Sequence, residues 1–396
     1  MKIAVLHIYN FPYELAPTTR ITAYCKGLKK LGAQVDIVSI VPKKCEEKEP
    51  LIGECDGGTY YHFAYKSKCN MIGFRGISYR IKHRYCIFRA LQFIKKSHRT
   101  KPYDAIILSF DEPFQFNYIV PFLYRLSGIK IIAIADEYPI PIRQYLKPAV
   151  PQSKLNQYKK IYRKIDARIL MTSKLQEFYD SKISPKPTLI LSTIVDTDRF
   201  KLINKVQSNI SYLCYMGNME LSKDNVDNII YAFNIIKEQF PDLFLYLYGA
   251  PSEKDKNMIL QIIKKLDLEE RVLFKGKASY LDVPSILQGA TILVASQPNT
   301  KRAEGGFPTK MGEYFMTGKP TILTDVGEIS NYVKHQENAY MVVPENPYEY
   351  AKMISYVLNN YQEALNVAQN AKSLIYNKYS YEAAGKNIVN FINTLK

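Results

Sequence analysis

The chain has 396 residues, 47% of them hydrophobic, and carries 54 Lys and Arg against 37 Asp and Glu, a formal charge of +17. That length holds two domains of ordinary size, and apolar content at this level excludes a disordered or fibrous chain. Six cysteines without a C-x-x-C pair, and five histidines without H-x-x-H spacing, argue for reduced thiols and against a protein-held transition metal.

Residues 2–7 read as a buried strand, followed by a polar loop through Thr19, a helix over 20–31 and a strand over 35–40. The chain opens directly on that strand, and no apolar run approaches the eighteen residues of a membrane span, so the expectation is a cytosolic protein. Thr18, Thr19 and Arg20 stand where the first loop meets its helix, placed to meet a phosphate or sugar. The strand lacks G-x-G-x-x-G, which argues against a nicotinamide enzyme.

Charge is lopsided. Residues 1–200 hold 33 basic and 17 acidic side chains, whereas residues 201–396 hold 21 and 20, so +16 lies in the first half. From Tyr65 to Lys101 eleven Lys or Arg occur with no acid, interleaved with apolar and aromatic residues such as Ile77, Ile81, Tyr85 and Phe88. A helix-prone stretch of this kind reads as a surface for anionic lipid or phosphate groups, peripheral to a membrane. The competing reading is an ordinary helix whose core face is Ile81, Phe88, Leu91 and Ile94. Nucleic acid is not the expected partner, because no helix-turn-helix, zinc finger or RNP-like pattern is present.

Strands over 105–109, 130–135 and 169–172, with helical patterns between, complete a doubly wound parallel sheet. Two acidic loops follow strand ends: Asp111-Glu112-Pro113, and Asp136-Glu137-Tyr138-Pro139. Their carboxylates suit orienting a hydroxyl acceptor or taking its proton, and are equally readable as plain loop acids. Between 192 and 210 the pattern loosens into a polar connection. Asp196-Thr197-Asp198 within it has D-x-D form, yet its setting reads as a turn whose carboxylates cap and pair with Arg199.

A second α/β run then begins, with strands over 212–216, 243–248, 272–275, 291–295, 321–324 and 340–343 and helices near 225–238, 253–266, 281–287 and 310–316. After its first strand, Gly217 and Asn218 form a turn and Lys223 offers a flexible cation. Residues 304–320, EGGFPTKMGEYFMTGKP, carry the strongest signal. Gly305 and Gly306 allow close backbone approach, and Phe307-Pro308 leads into a helix. The N–H groups of Thr309, Lys310 and Met311 are expected to face a phosphate, with Glu313 one turn further on to accept from sugar hydroxyls. Helical sequence over 347–396, broken near 379–380, is long enough to cross back onto the first domain.

These motifs resemble the donor site of the retaining glycosyltransferases of family 4. In that family two glutamates lie in an E-x7-E signature, the second on the donor ribose and the first beside the transferred sugar. Glu313 fits the second position; the first falls on Gly305, with Glu304 one residue early. The F-P-x-K-x-x-E-Y form resembles a subgroup tied to bacterial surface polysaccharides. The resemblance implies a GT-B fold, two doubly wound Rossmann-like domains facing each other across a cleft. The expected organisation is an acceptor domain over 1–192, a hinge over 193–210, a nucleotide-sugar domain over 211–375 and a crossing helix over 376–396. It further implies transfer from a nucleotide diphosphate sugar to a lipid-linked or polysaccharide acceptor at the inner membrane face, without cofactor or metal. Lys223 and the Thr309 helix entrance would hold diphosphate, Glu304 or Gly305 the sugar side, and Asp136 or Glu137 the acceptor. The alternatives are a GT-B synthase acting on soluble sugars and an inactive sugar-nucleotide or glycan-binding subunit.

Overall fold

The computed structural model describes residues 1–9, 11, 16–44, 50–66, 74–110, 113–139, 152–201 and 210–395. The chain divides into two compact units: residues 1–194 together with 381–396, and residues 195–380. The first division falls at the start of the expected 193–210 connection, of which 202–209 lie outside the described residues. The second falls after Ser380, so the first unit's share of the C-terminus begins at Tyr381 rather than at 376.

In the first unit, β1 (Lys2–His7), β2 (Gln34–Ser39), β7 (Ala105–Ser109), β8 (Lys130–Ala135), β9 (Ala167–Leu170) and β10 (Thr188–Ile190) pair in parallel. Parallel strands covered on both faces need continuous apolar sequence, and every residue of β1 is buried. A hairpin that sequence reading passed over, β4 (Ile52–Cys55) with β5 (Gly58–Tyr61), extends the edge, giving the order β10-β9-β8-β7-β1-β2-β5-β4. The two-residue strands β3 (Lys43–Lys44) and β6 (Tyr65–Lys66) pair separately.

The helix after β1 spans Ala16–Lys30, so Thr18 and Thr19 lie in its first turn, ahead of Arg20, rather than in a polar loop. It puts Ile21, Tyr24, Cys25 and Leu28 into the core beneath the sheet, which helix Tyr381–Thr394 joins through Ala384, Ile388 and Ile392. The two helices touch backbone to backbone: a Cβ on Gly27 would lie 2.0 Å from the Tyr381 carbonyl oxygen, and one on Gly385 2.4 Å from the Gly27 carbonyl carbon.

The basic stretch forms one long helix, Phe74–Thr100. The core-face reading of it holds for Leu91 and Ile94, which are buried, and fails for Ile81 and Phe88, which are 63% and 58% exposed. Its buried face is made by Cys86, Ile87, Ala90, Leu91 and Ile94.

The second unit has six parallel strands, β11 (Ser211–Met216), β12 (Leu243–Tyr248), β13 (Val272–Gly276), β14 (Ile292–Ala295), β15 (Thr321–Thr324) and β16 (Tyr340–Val342), in the order β13-β12-β11-β14-β15-β16. Counted from its own first strand this is 3-2-1-4-5-6, the doubly wound order whose direction of winding reverses between the first and fourth strands. The helix expected over 281–287 forms at Val283–Gly289, leaving Leu281 exposed ahead of it. Tyr350, on helix Pro347–Asn359, places its hydroxyl 3.0 Å from the carbonyls of both Ala295 and Ile322, tying β14 to β15.

Candidate functional site

The candidate site is built from the segments that follow β11 and β14 in the second unit. These strands are neighbours, with Leu213 opposite Ile292 and Cys214 opposite Leu293, so the loops at their carboxyl ends leave the sheet at its switch point. The β11 loop runs through Gly217 and Asn218 to a short helix, Leu221–Asp224, that carries Lys223. The β14 segment passes through helix Lys301–Gly305 and Phe307-Pro308 to helix Lys310–Met316.

Two tyrosines of these elements hold the segments together. The Met216 N–H donates to the Tyr314 hydroxyl at 2.8 Å, so the helix bearing Glu313 is hooked to the end of β11. Lys310 reaches back with its Nζ to the Tyr215 hydroxyl at 3.0 Å and to Asp224 Oδ1 at 2.7 Å, lying over the Tyr215 ring. Burial pushes the Asp224 carboxyl up, and the Lys310 ammonium, Lys223 and the Tyr215 hydroxyl more than offset this, leaving it below the usual carboxylate range. Gly217 is required by this arrangement: a Cβ there would stand 2.6 Å from both Lys310 Nζ and the Tyr215 hydroxyl. Gly249, at φ +150° after β12, likewise leaves room for the Gly217 carbonyl, 1.8 Å from where a Cβ would sit.

Glu313 is half-buried and paired with the Arg199 guanidinium. Arg199 also donates from Nη2 to the Tyr280 carbonyl at 2.6 Å and stacks over the Tyr280 ring at 3.8 Å. The expected partnership of Arg199 with the Asp196-Thr197-Asp198 carboxylates is therefore corrected. Asp196 caps the short helix Thr197–Phe200 by accepting from the Asp198 N–H at 3.2 Å, and Asp198 pairs with Lys201 at 2.6 Å. Helix geometry turns Arg199 the other way, toward Glu313.

The helix entrance also differs from expectation. Helix Lys310–Met316 starts two residues after Pro308, and Met311 donates its N–H to the Pro308 carbonyl at 2.9 Å. Met311 is thus spent within the turn, which leaves Thr309 and Lys310, whose N–H groups precede the first helical bonds. Gly305 is buried at the end of the preceding helix, and Gly306 is extended at φ −98°, contributing space beside the Arg302 carbonyl rather than an unusual backbone. Phe307 is buried and packs edge-on against Tyr332 at 5.0 Å. Glu304 forms an exposed pair with Lys301 at 2.7 Å, one turn back on its own helix. Asn218 is exposed and Lys223 half-buried.

The remaining candidates belong to the first unit. Arg20 is buried: its Nε donates to the Tyr24 hydroxyl and its Nη2 to the Leu191 carbonyl, both at 2.7 Å, while Nη1 lies 3.4 Å from Asp136 Oδ1. Two residues picked for different tasks, Arg20 for phosphate and Asp136 for acceptor, are thus one ion pair. Glu137 is half-exposed beside it, and Thr18 is buried while Thr19 is partly so. Asp111 lies outside the described residues. Among the described residues no group of three His, Cys, Asp or Glu is placed to hold a metal ion, and no helix is long and apolar enough to cross a membrane.

Sequence reading missed Asp224, Tyr215 and Arg199. The first two flank the Gly217 turn in sequence, and a tyrosine and an acid around a glycine turn carry no mark of the lysine 86 positions later that joins them.

Residues 196–374 match the family Glycosyl transferases group 1. The matched stretch covers most of the second unit. Across the whole chain, the structure is similar to sucrose-phosphate synthase from Thermosynechococcus elongatus, with a TM-score of 0.76 at 15% identity over 100% of this chain and 98% of that one. It is similar too to HepE from Anabaena, solved in complex with UDP and glucose, with a TM-score of 0.71 at 15% identity over 100% of both chains. These likenesses show the GT-B fold. A curated relative, described as an uncharacterized glycosyltransferase from Methanocaldococcus jannaschii, is 24% identical over 185 residues, which cover 47% of this chain. The matched part spans about half of that relative, 45% of its length.

Proposed function

We propose that this chain is a retaining glycosyltransferase that moves a sugar from a nucleotide diphosphate sugar to a lipid-linked or polysaccharide acceptor, in the manner of family 4. The observation that carries this reading is the convergence of the Gly217–Lys223 loop, the Thr309 helix entrance and Glu313 at the switch point of the unit that matches the group 1 family. A nucleotide diphosphate placed there meets the groups its chemistry asks for. Lys223 and the Thr309 and Lys310 N–H groups offset phosphate charge as the diphosphate leaves. Glu313 accepts from ribose hydroxyls through its second oxygen while Arg199 holds the first in place.

Glu304 or the Gly305 backbone serves the sugar side, and Asp136 or Glu137 of the first unit orients the acceptor hydroxyl. Asp136 is held in place for positioning, since its carboxylate faces the buried Arg20 guanidinium. The sugar is transferred as its C1–oxygen bond to the diphosphate breaks and a bond to the acceptor oxygen forms on the same face, the acceptor proton passing to the leaving diphosphate oxygen. No cofactor or metal is invoked, because fixed cations and backbone dipoles supply the countercharge. The solved complexes of HepE with UDP and with UDP-glucose favour a uridine diphosphate donor.

The test is release of nucleoside diphosphate from a panel of nucleotide sugars, with and without glycan acceptors. Turnover by the wild-type chain that falls at least a hundred-fold in Glu313→Ala supports the reading. Binding of a sugar nucleotide with no turnover under any acceptor would assign the chain to the inactive binding class instead.

A further inference from the structure

We propose that the outward face of helix Phe74–Thr100 is a docking surface for an anionic lipid bilayer, with Ile77, Ile81 and Phe88 as the residues that insert. Folding alone does not explain how this helix is arranged. Along this helix Ile87, Ala90, Leu91 and Ile94 are buried against the first unit, as an amphipathic helix requires. Ile77, Ile81, Tyr85 and Phe88 point the other way and are all exposed.

At about 100° per residue, positions 77, 81 and 88 fall within an arc of about 40°, with Tyr85 about 40° further round. The four make one ridge, not scattered exposures. Phe114 and Tyr118, on helix Pro113–Leu123, extend it sideways, both exposed, with their tilted rings 5.0 Å apart. His83 and Arg84 bring Phe114 against the long helix, each at 6.0 Å from its ring.

The flanks decide what this ridge fits. On the same helical turns Arg80 and Arg84 lie to one side and Arg89 to the other, all exposed, and Lys95, Lys96 and Arg99 continue the charged strip. Arg89 is held by the Tyr85 hydroxyl at 3.2 Å, which keeps its cation level with the ridge. No acid occurs from Tyr65 to Lys101. An apolar ridge rimmed only by cations matches the boundary between acyl chains and anionic headgroups, where each cation near the surface strengthens binding roughly five-fold.

The test uses the full chain, phosphatidylcholine vesicles with and without phosphatidylglycerol, and no nucleotide, so its failure is distinct from failure of the transferase reading. The wild-type chain should sediment with the anionic vesicles and much less with the neutral ones. Ile81→Ser with Phe88→Ser should weaken this at least ten-fold without lowering the melting temperature, since both positions are exposed. Reversal of Arg80, Arg84 and Arg89 to Glu should abolish it. Because the chain contains no tryptophan, Phe88→Trp gives a single reporter whose emission should shift to the blue on adding anionic vesicles. No sedimentation of the wild type, sedimentation unchanged in the Ser double variant, or an unshifted indole emission from the vesicle-bound Phe88→Trp variant overturns the proposal.

Discussion

Replacing Lys310 with Met is expected to damage stability more than any surface lysine should. The substitution keeps most of the side-chain volume and removes one ammonium. Asp224, whose side chain is 4% exposed, then loses its ion pair at 2.7 Å and keeps only the Tyr215 hydroxyl and the Lys223 charge nearby. Breaking one side of a buried pair typically costs about 3–5 kcal/mol. For a unit of this size each kcal/mol moves the melting temperature by about 2–4 °C, so the transition of the second unit should fall by roughly 6–20 °C.

Calorimetry is the suitable assay, because it separates the transitions of two units where a single midpoint would not. The double variant Lys310→Met with Asp224→Asn removes both charges and should recover more than half of the loss, a coupling that a double-mutant cycle reads directly. Wild-type melting in Lys310→Met, with weaker nucleotide binding only, would refute the buried-pair reasoning and return Lys310 to a ligand-contact role. A double variant no better than the single would refute it too.

At the helix crossing of the first unit, Gly385→Val should release helix Tyr381–Thr394 from helix Ala16–Lys30, since a Cβ already meets Gly27 backbone atoms at 2.4 Å; limited proteolysis should then trim the C-terminus, and an intact C-terminus would count against the contact. His7 is held neutral by burial, its pKa pushed down to about 3 against an ordinary 6.5, despite a hydrogen bond to the Ser109 backbone. The unfolded chain therefore binds a proton that the folded chain refuses, so stability is lost as pH falls from about 6.5 toward 3, at up to about 1.4 kcal/mol per pH unit. Urea midpoints across that range should decline less steeply in His7→Gln. Asp224 works in the same direction but lower: its folded value is depressed, so its contribution is present above the ordinary carboxylate range and lost as pH falls through the folded value, a component that Asp224→Asn should remove. Arg199→Ala should raise the donor KM at least ten-fold with a smaller effect on kcat, because it frees Glu313 from its position rather than removing it; an unchanged KM would show that Glu313 is placed without it.

Most of the parallel strands were legible because they are apolar runs, as in the buried β1, β7 and β8, whereas the short, half-exposed β10 was not. The hairpin of β4 and β5 was not, although Asp56-Gly57 between two short β-prone runs is a turn signal; Gly53 and Gly58 inside those runs masked it. For the candidate site, sequence picked out the segments and left their cross-links invisible. Arg199 meets Glu313 across 114 positions and Lys310 meets Asp224 across 86, and no local pattern encodes pairs at such separations. The exposed ridge of helix Phe74–Thr100 was hidden for a related reason: the apolar residues of both faces have helical spacing, and only packing shows which face is covered.

The central claim is a nucleotide diphosphate site at the β11–β14 switch point with Glu313 as its ribose acceptor. A thermal-shift panel of nucleoside diphosphates and their sugar conjugates tests it most directly, since a ligand that binds only the folded state raises the melting temperature by mass action. The account predicts that one diphosphate, UDP foremost, stabilises the chain and that Glu313→Ala abolishes the shift. No stabilisation by any of them, or a shift that survives Glu313→Ala undiminished, would contradict it.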